Sequence, residues 1–145
     1  MTVYIGSDHA GFPLKEIIRK HLEERGMAVE DCGTYSADRC DYPDFAEKVA
    51  RKVVASGSKG VLVCGSGIGI SIAANKVAGV RCALCHDHYT AVMCRRHNDA
   101  NIVALGARVI GSDVALDLVD AFFATPFDGA QHTARVAKIH ALEQH

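Results

Sequence analysis

Val61-Leu62-Val63-Cys64, followed at once by Gly65-Ser66-Gly67-Ile68-Gly69, is the stretch that decides the fold. Four apolar residues without a polar interruption fit a strand buried on both faces, as in a parallel sheet covered by helices. The alternating glycines then turn the chain into a helix that carries Ile72 and Val77. A strand, a glycine turn and a helix make one βα unit.

The same grammar repeats outward in both directions. Val3-Tyr4-Ile5 is a strand that ends at Gly6-Ser7-Asp8-His9, and a helix follows with Leu14, Ile17, Ile18 and Leu22 on one face before Gly26 stops it. A weaker strand spans Ala28–Asp31. Pro43 opens a helix with Asp44 and Glu47 in its first turn and Phe45, Val49 and Val53 turned inward. Beyond the glycines come a strand over Arg81–Cys85, a helix from about Asp87, a strand over Ile102–Leu105 and a helix near Ser112, a candidate N-cap. A last helical segment follows Pro126-Phe127-Asp128-Gly129 and carries Val136 and Ile139. The alternation predicts an α/β fold: one Rossmann-like domain over residues 1–145, with about five parallel strands and helices on both faces.

Composition narrows the function by exclusion. A net charge of -1 leaves no electrostatic footprint for nucleic acid or an anionic membrane. No stretch is apolar for long enough to span a bilayer, and the first residues do not read as a signal peptide. The expected location is cytoplasmic, where the six cysteines stay reduced. Function must then come from a local site, and in such sheets sites lie beyond the carboxyl ends of the strands.

Three groups of residues carry candidate chemistry. Glycines 65, 67 and 69 let the backbone approach a ligand and aim several N–H groups at one point, and the helix start favours an anion or a thiolate. Cys64 could serve there as a base, or it could be an ordinary core cysteine. A dinucleotide site would need G-x-G-x-x-G, and Ile70 stands where the third glycine belongs, although Asp87 lies about 20 residues on, where a ribose-binding acid would sit. Asp8 and His9 end the first strand as an acid and an imidazole, or as a helix cap and a surface residue. Cys82-x-x-Cys85 with His86, His88, Cys94 and His97 resembles a zinc inventory. Its two cysteines, however, fall at odd separation in a strand and so face opposite ways. His97-Asn98-Asp99-Ala100-Asn101 could be a polar helix-ending turn. Arg108, His132 and Arg135 could together hold a phosphate.

The ordered set Gly6-Ser7-Asp8-His9-Ala10-Gly11, Asp41-Tyr42-Pro43-Asp44, Cys64-Gly65-Ser66-Gly67-Ile68-Gly69, Ala73-Ala74-Asn75-Lys76, His97-Asn98-Asp99-Ala100-Asn101 and Gly106-Ala107-Arg108-Val109-Ile110-Gly111 resembles the type B ribose-5-phosphate isomerases, in the family that also holds the galactose-6-phosphate isomerase subunits. The resemblance implies an aldose–ketose isomerase acting on a sugar phosphate through a cis-enediolate. By it, Cys64 is the base, with Ser66 beside it, and the N–H groups of Gly65, Gly67, Ile68 and Gly69 hold the enediolate. His97, helped by Asp8, opens the ring. Tyr42 and Asn98 line the sugar site, while His9, Arg108, His132 and Arg135 grip the phosphate. It implies no metal or organic cofactor, and a homodimer or homotetramer with shared active sites. Ile70 stands where some members carry a glutamate base, which places the chain in the cysteine-using branch. Gln131 stands where many relatives carry arginine. A non-catalytic nucleotide-binding module and an isomerase for allose or galactose 6-phosphate are the competing readings.

Overall fold

A computed structural model describes residues 1–143. Five strands, β1 (Thr2–Ser7), β2 (Ala28–Asp31), β3 (Gly60–Cys64), β4 (Cys82–Leu84) and β5 (Ile102–Gly106), form one parallel sheet in the order β2-β1-β3-β5-β4. Six helices cover it: α1 (Phe12–Glu24), α2 (Tyr42–Ser56), α3 (Ile68–Asn75), α4 (His88–Arg96), α5 (Ser112–Ala124) and α6 (Gln131–Ala141). Every residue of β3 and β5 is buried, which is why those two segments read as unbroken apolar runs.

The strand order explains which helix lies on which face. Crossovers between parallel strands keep one hand, so a connection that moves the other way along the sheet must use the other face. The steps from β2 to β3 and from β3 to β4 go one way, and α2 and α3 share one face around Val49, Val53, Leu62 and Ile70. The steps from β1 to β2 and from β4 back to β5 go the other way. Their helices, α1 and α4, share the opposite face with α5 around Ile18, Leu22, Leu118 and Phe122. The last two strands are thus exchanged relative to a sheet that grows outward in chain order.

Several residues sit differently from their sequence pattern. Ile17 and Ile72 point outward, while Leu14, Ile18 and Leu22 on α1 and Ile70 and Ala74 on α3 fill the core. Ser112 is the first residue of α5 rather than its cap; Gly111 takes that place, with no side-chain bond. Cys82 packs on the α2–α3 face and Cys85 on the α4–α5 face, as odd separation requires. Burial pushes the Cys82 thiol well up. Among the described residues no helix is long and apolar enough to cross a membrane.

Candidate active site

Chain direction reverses between β1, which leads outward to β2, and β3, which leads the opposite way. At this switch point the carboxyl ends of both strands open into a cleft of about 560 Å³. Asp8, His9, Tyr42, Cys64, Gly65, Ser66, Ile68, Gly69 and Arg108 line it, together with Ala10 and Val109, which sequence reasoning did not single out. Gly67 lies just beneath, fully buried.

Local bonding fixes each group. Cys64 ends β3 with 4% of its surface exposed, and its Sγ accepts the N–H of Gly67 at 3.2 Å. That donor lies at the start of α3, where unpaired backbone N–H groups and the helix dipole favour negative charge. Gly67 has φ 78°, and a Cβ there would meet the backbone of Leu105 at 2.8 Å and Gly106 at 3.0 Å. Only glycine lets the loop lie this close to β5. Gly69 is bare for another reason, since a Cβ would come within 2.6 Å of the Tyr42 ring. The phenol therefore forms a wall of the cleft, with 38% of Tyr42 exposed. The Ser66 hydroxyl accepts the Ile68 N–H at 3.1 Å and helps cap α3.

Asp8 is buried and accepts the Gly11 N–H at 2.9 Å, so the carboxylate braces the turn into α1 while lining the cleft. His9 Nδ1 accepts the Cys40 N–H at 3.3 Å, which leaves Nε2 to carry the proton of the neutral ring. The Arg108 backbone N–H donates to Gly65 at 2.9 Å, and its guanidinium lies over that glycine. Among the described residues it has no carboxylate partner. The cleft thus offers a thiol, a row of N–H groups, a carboxylate and an unneutralised cation, a set that suits a small anionic ligand with a carbonyl carbon to activate.

Four expected site residues lie elsewhere. His97 caps α4, and because α4 runs from the end of β4 back to the start of β5, His97 and Asn98 lie at the amino edge of the sheet. Bonding confirms the position: Asn101 C=O accepts from Gly60 at the start of β3, and Asn101 Oδ1 from Arg81 just before β4. About 16 Å of strand separates the two edges. His97 stacks on His132 with ring centroids 4.3 Å apart and planes 12° from parallel. Asp128 completes this second cluster, its carboxylate held by Arg96 Nε at 3.1 Å. Sequence reasoning missed Asp128, which reads as part of a loop-forming Pro-Phe-Asp-Gly. Asn98 lines a separate hollow with Arg81 and Ile139, and Arg135 is exposed on α6. Asp87, the candidate ribose-binding acid, caps α4 through the Thr90 N–H at 2.8 Å; that bond holds its carboxyl below the ordinary range.

Comparison with known proteins identifies the family and the fold. The family described as Ribose/Galactose Isomerase matches residues 3–139. Ribose-5-phosphate isomerase B of Escherichia coli is 48% identical over 144 residues, covering 98% of this chain and 96% of that protein. The structure of ribose-5-phosphate isomerase B from Clostridium thermocellum superposes with a TM-score of 0.98 at 50% identity, over 99% of this chain and 98% of that one. The enzyme from Mycoplasma genitalium, solved with bound ribulose-5-phosphate, gives 0.96 at 40% identity over 99% and 96%. A cleft at the switch point, a whole-chain family match and near-superposable relatives lead to one statement: the chain belongs to the ribose/galactose isomerase family and is an aldose–ketose isomerase.

Proposed function

We propose that the protein interconverts ribose 5-phosphate and ribulose 5-phosphate in the cytoplasm, as a homodimer or larger assembly whose sites are each built from two chains. Cys64 removes the proton from C2 of the open-chain aldose and returns it to C1, through a cis-enediolate. The loop of Gly65, Gly67, Ile68 and Gly69 holds the oxygens that gain charge with its backbone N–H groups, where fixed dipoles act most strongly; the Gly67 and Ile68 N–H groups, bonded to Cys64 Sγ and Ser66 Oγ before substrate enters, set the loop's shape. Ser66 and Asp8 flank the thiol, and Tyr42 bounds the sugar. Arg108 and His9 supply cation and donor to the phosphate.

The observation that carries the two-chain reading is the separation of Cys64 from His97 on opposite edges of one sheet. Isomerisation of a cyclic sugar needs a ring-opening group beside the base, and among the described residues the cleft of a single chain holds no histidine besides His9. A second copy presenting its His97, Asn98, His132 and Arg135 would complete the site. Helix α6 supports this, since it buries none of its side chains and leaves Ile139 and Leu142 exposed. Gln131 gives a second reading some weight: a neutral amide in place of an arginine would suit a longer substrate such as a hexose 6-phosphate. An isomerase assay against a panel of pentose and hexose phosphates tests the proposal. Highest kcat/KM on ribose 5-phosphate is expected, and a clear preference for a hexose 6-phosphate would favour the second reading.

A further inference from the structure

Helix α6 buries no side chain of its own, yet both its ends are tied to the body of the molecule. At its first turn His132 stacks on His97. At its last turn His140 Nε2 lies 2.6 Å from Arg81 Nη1, and His140 Nδ1 lies 3.0 Å from Glu143 Oε1. A guanidinium nitrogen can only donate. Nε2 must therefore accept, and the single ring proton sits on Nδ1, where it donates to Glu143. The same Glu143 oxygen accepts the Gly79 N–H at 3.0 Å, and these bonds hold its carboxyl below the ordinary range, so it is a carboxylate.

The chain of bonds continues past Arg81. Its Nε donates to the Asp99 carbonyl at 2.8 Å, and its Nη2 reaches the Asp99 carboxylate at 3.5 Å. Asp99 stands two residues after His97 with φ 49°, in the left-handed region that a non-glycine residue occupies only when it is held there. Arg95 Nη1, at 2.9 Å from Asp99 Oδ1, is the second clamp. One end of α6 thus rests on His97 and the other is wired, through Arg81, to the turn that carries His97.

We infer that His140 is a positioning residue: as its neutral Nδ1–H tautomer it couples the last turn of α6 to Asp99 through Arg81, and so keeps His132 and the His97 segment in register. The inference rests on the roles proposed above for His97 and His132. The brace depends on Nε2 as the acceptor for Arg81. The charged groups around it are Arg81, Glu143 and, through Arg81, Asp99; Lys76 at the end of α3 shares a groove with Glu143.

Two variants of the full chain test this. His140→Leu removes the acceptor, whereas His140→Gln keeps an oxygen for Arg81. Amide exchange across residues 131–141 reads the brace without reference to activity, and kcat/KM for ribose 5-phosphate reads its effect. His140→Leu should speed exchange in α6 and lower kcat/KM by about tenfold or more, the size set by a hydrogen bond to a charged group. His140→Gln should restore both. Unchanged exchange in His140→Leu would overturn the inference, as would faster exchange with unchanged kcat/KM. A wild type without activity on ribose 5-phosphate would instead overturn the proposed substrate, and exchange would still decide whether the brace exists.

Discussion

The two edges of the sheet differ in how they are built. At the carboxyl edge, candidate chemistry sits on short loops that leave strands, and backbone groups do much of the work: glycines expose N–H donors, and Cys64 and Asp8 each bond an N–H three residues on. At the amino edge, side chains do the work, with His97 on His132, Asp128 on Arg96, and Arg81 and Arg95 both on Asp99. The first edge is a pocket; the second carries a half-buried pair of stacked imidazoles. The proposed site divided between two copies would bring the two edges together.

The largest effect that would break this contrast is at the base. Cys64→Ala should lower kcat by about 10²–10⁴-fold or more while sugar phosphate still binds in calorimetry, because a general base is lost and the loop is not. Near-normal turnover would remove the carboxyl edge from the chemistry. Next in size is the mixing of two inactive proteins. Cys64→Ala and His97→Asn chains, exchanged after separate purification, should regain about one quarter of wild-type activity, since half the dimers are mixed and one site in each is intact. Verified mixed dimers that stay inactive would place both residues in one chain's site.

A smaller change sharpens the phosphate end. Gln131→Arg on the exposed start of α6 should lower KM for ribose 5-phosphate by about tenfold, the gain from a charge-assisted bond. No change for any phosphate would mean that the start of α6 does not reach the ligand. The smallest effect belongs to a region that serves neither edge. On α1, Arg19 bonds Glu16 and holds its carboxyl at about 2, below the ordinary 4.5. A depressed carboxyl stabilises the fold above its unfolded value, and that contribution is lost as pH falls through the folded one. Glu16 is largely in solvent, so Glu16→Gln should lower stability at neutral pH by less than about 1 kcal/mol. The difference should vanish between pH 4.5 and 2 in denaturant titrations, with isomerase activity unchanged.

The legibility of these features in the sequence follows from their physics. β3 and its glycine turn were readable because burial on both faces and close backbone approach each leave a contiguous signature. The cysteines of β4 were readable as core residues because the period of a strand fixes their faces. Where His97 lies relative to Cys64 depends on the β3-β5-β4 order, and no local pattern encodes which strand pairs with which. Asp128 was hidden because its role comes from a salt bridge across 32 residues to Arg96, and the same dipeptide chemistry makes an ordinary turn. Ile17, Ile72 and Ile139 misled a reading of single-chain cores; their apolar side chains stay on the surface of one copy.

Placing Cys64 and the histidines on opposite edges has a consequence for descent. In the proposed shared site, each copy contributes two separable halves, and each half works with its counterpart on the other copy. After gene duplication, one copy could lose its thiol and the other its histidines, and the mixed pair would still keep one working site. Specialisation into two unlike, mutually dependent subunits is thus open to this fold by simple loss, with no new residue required.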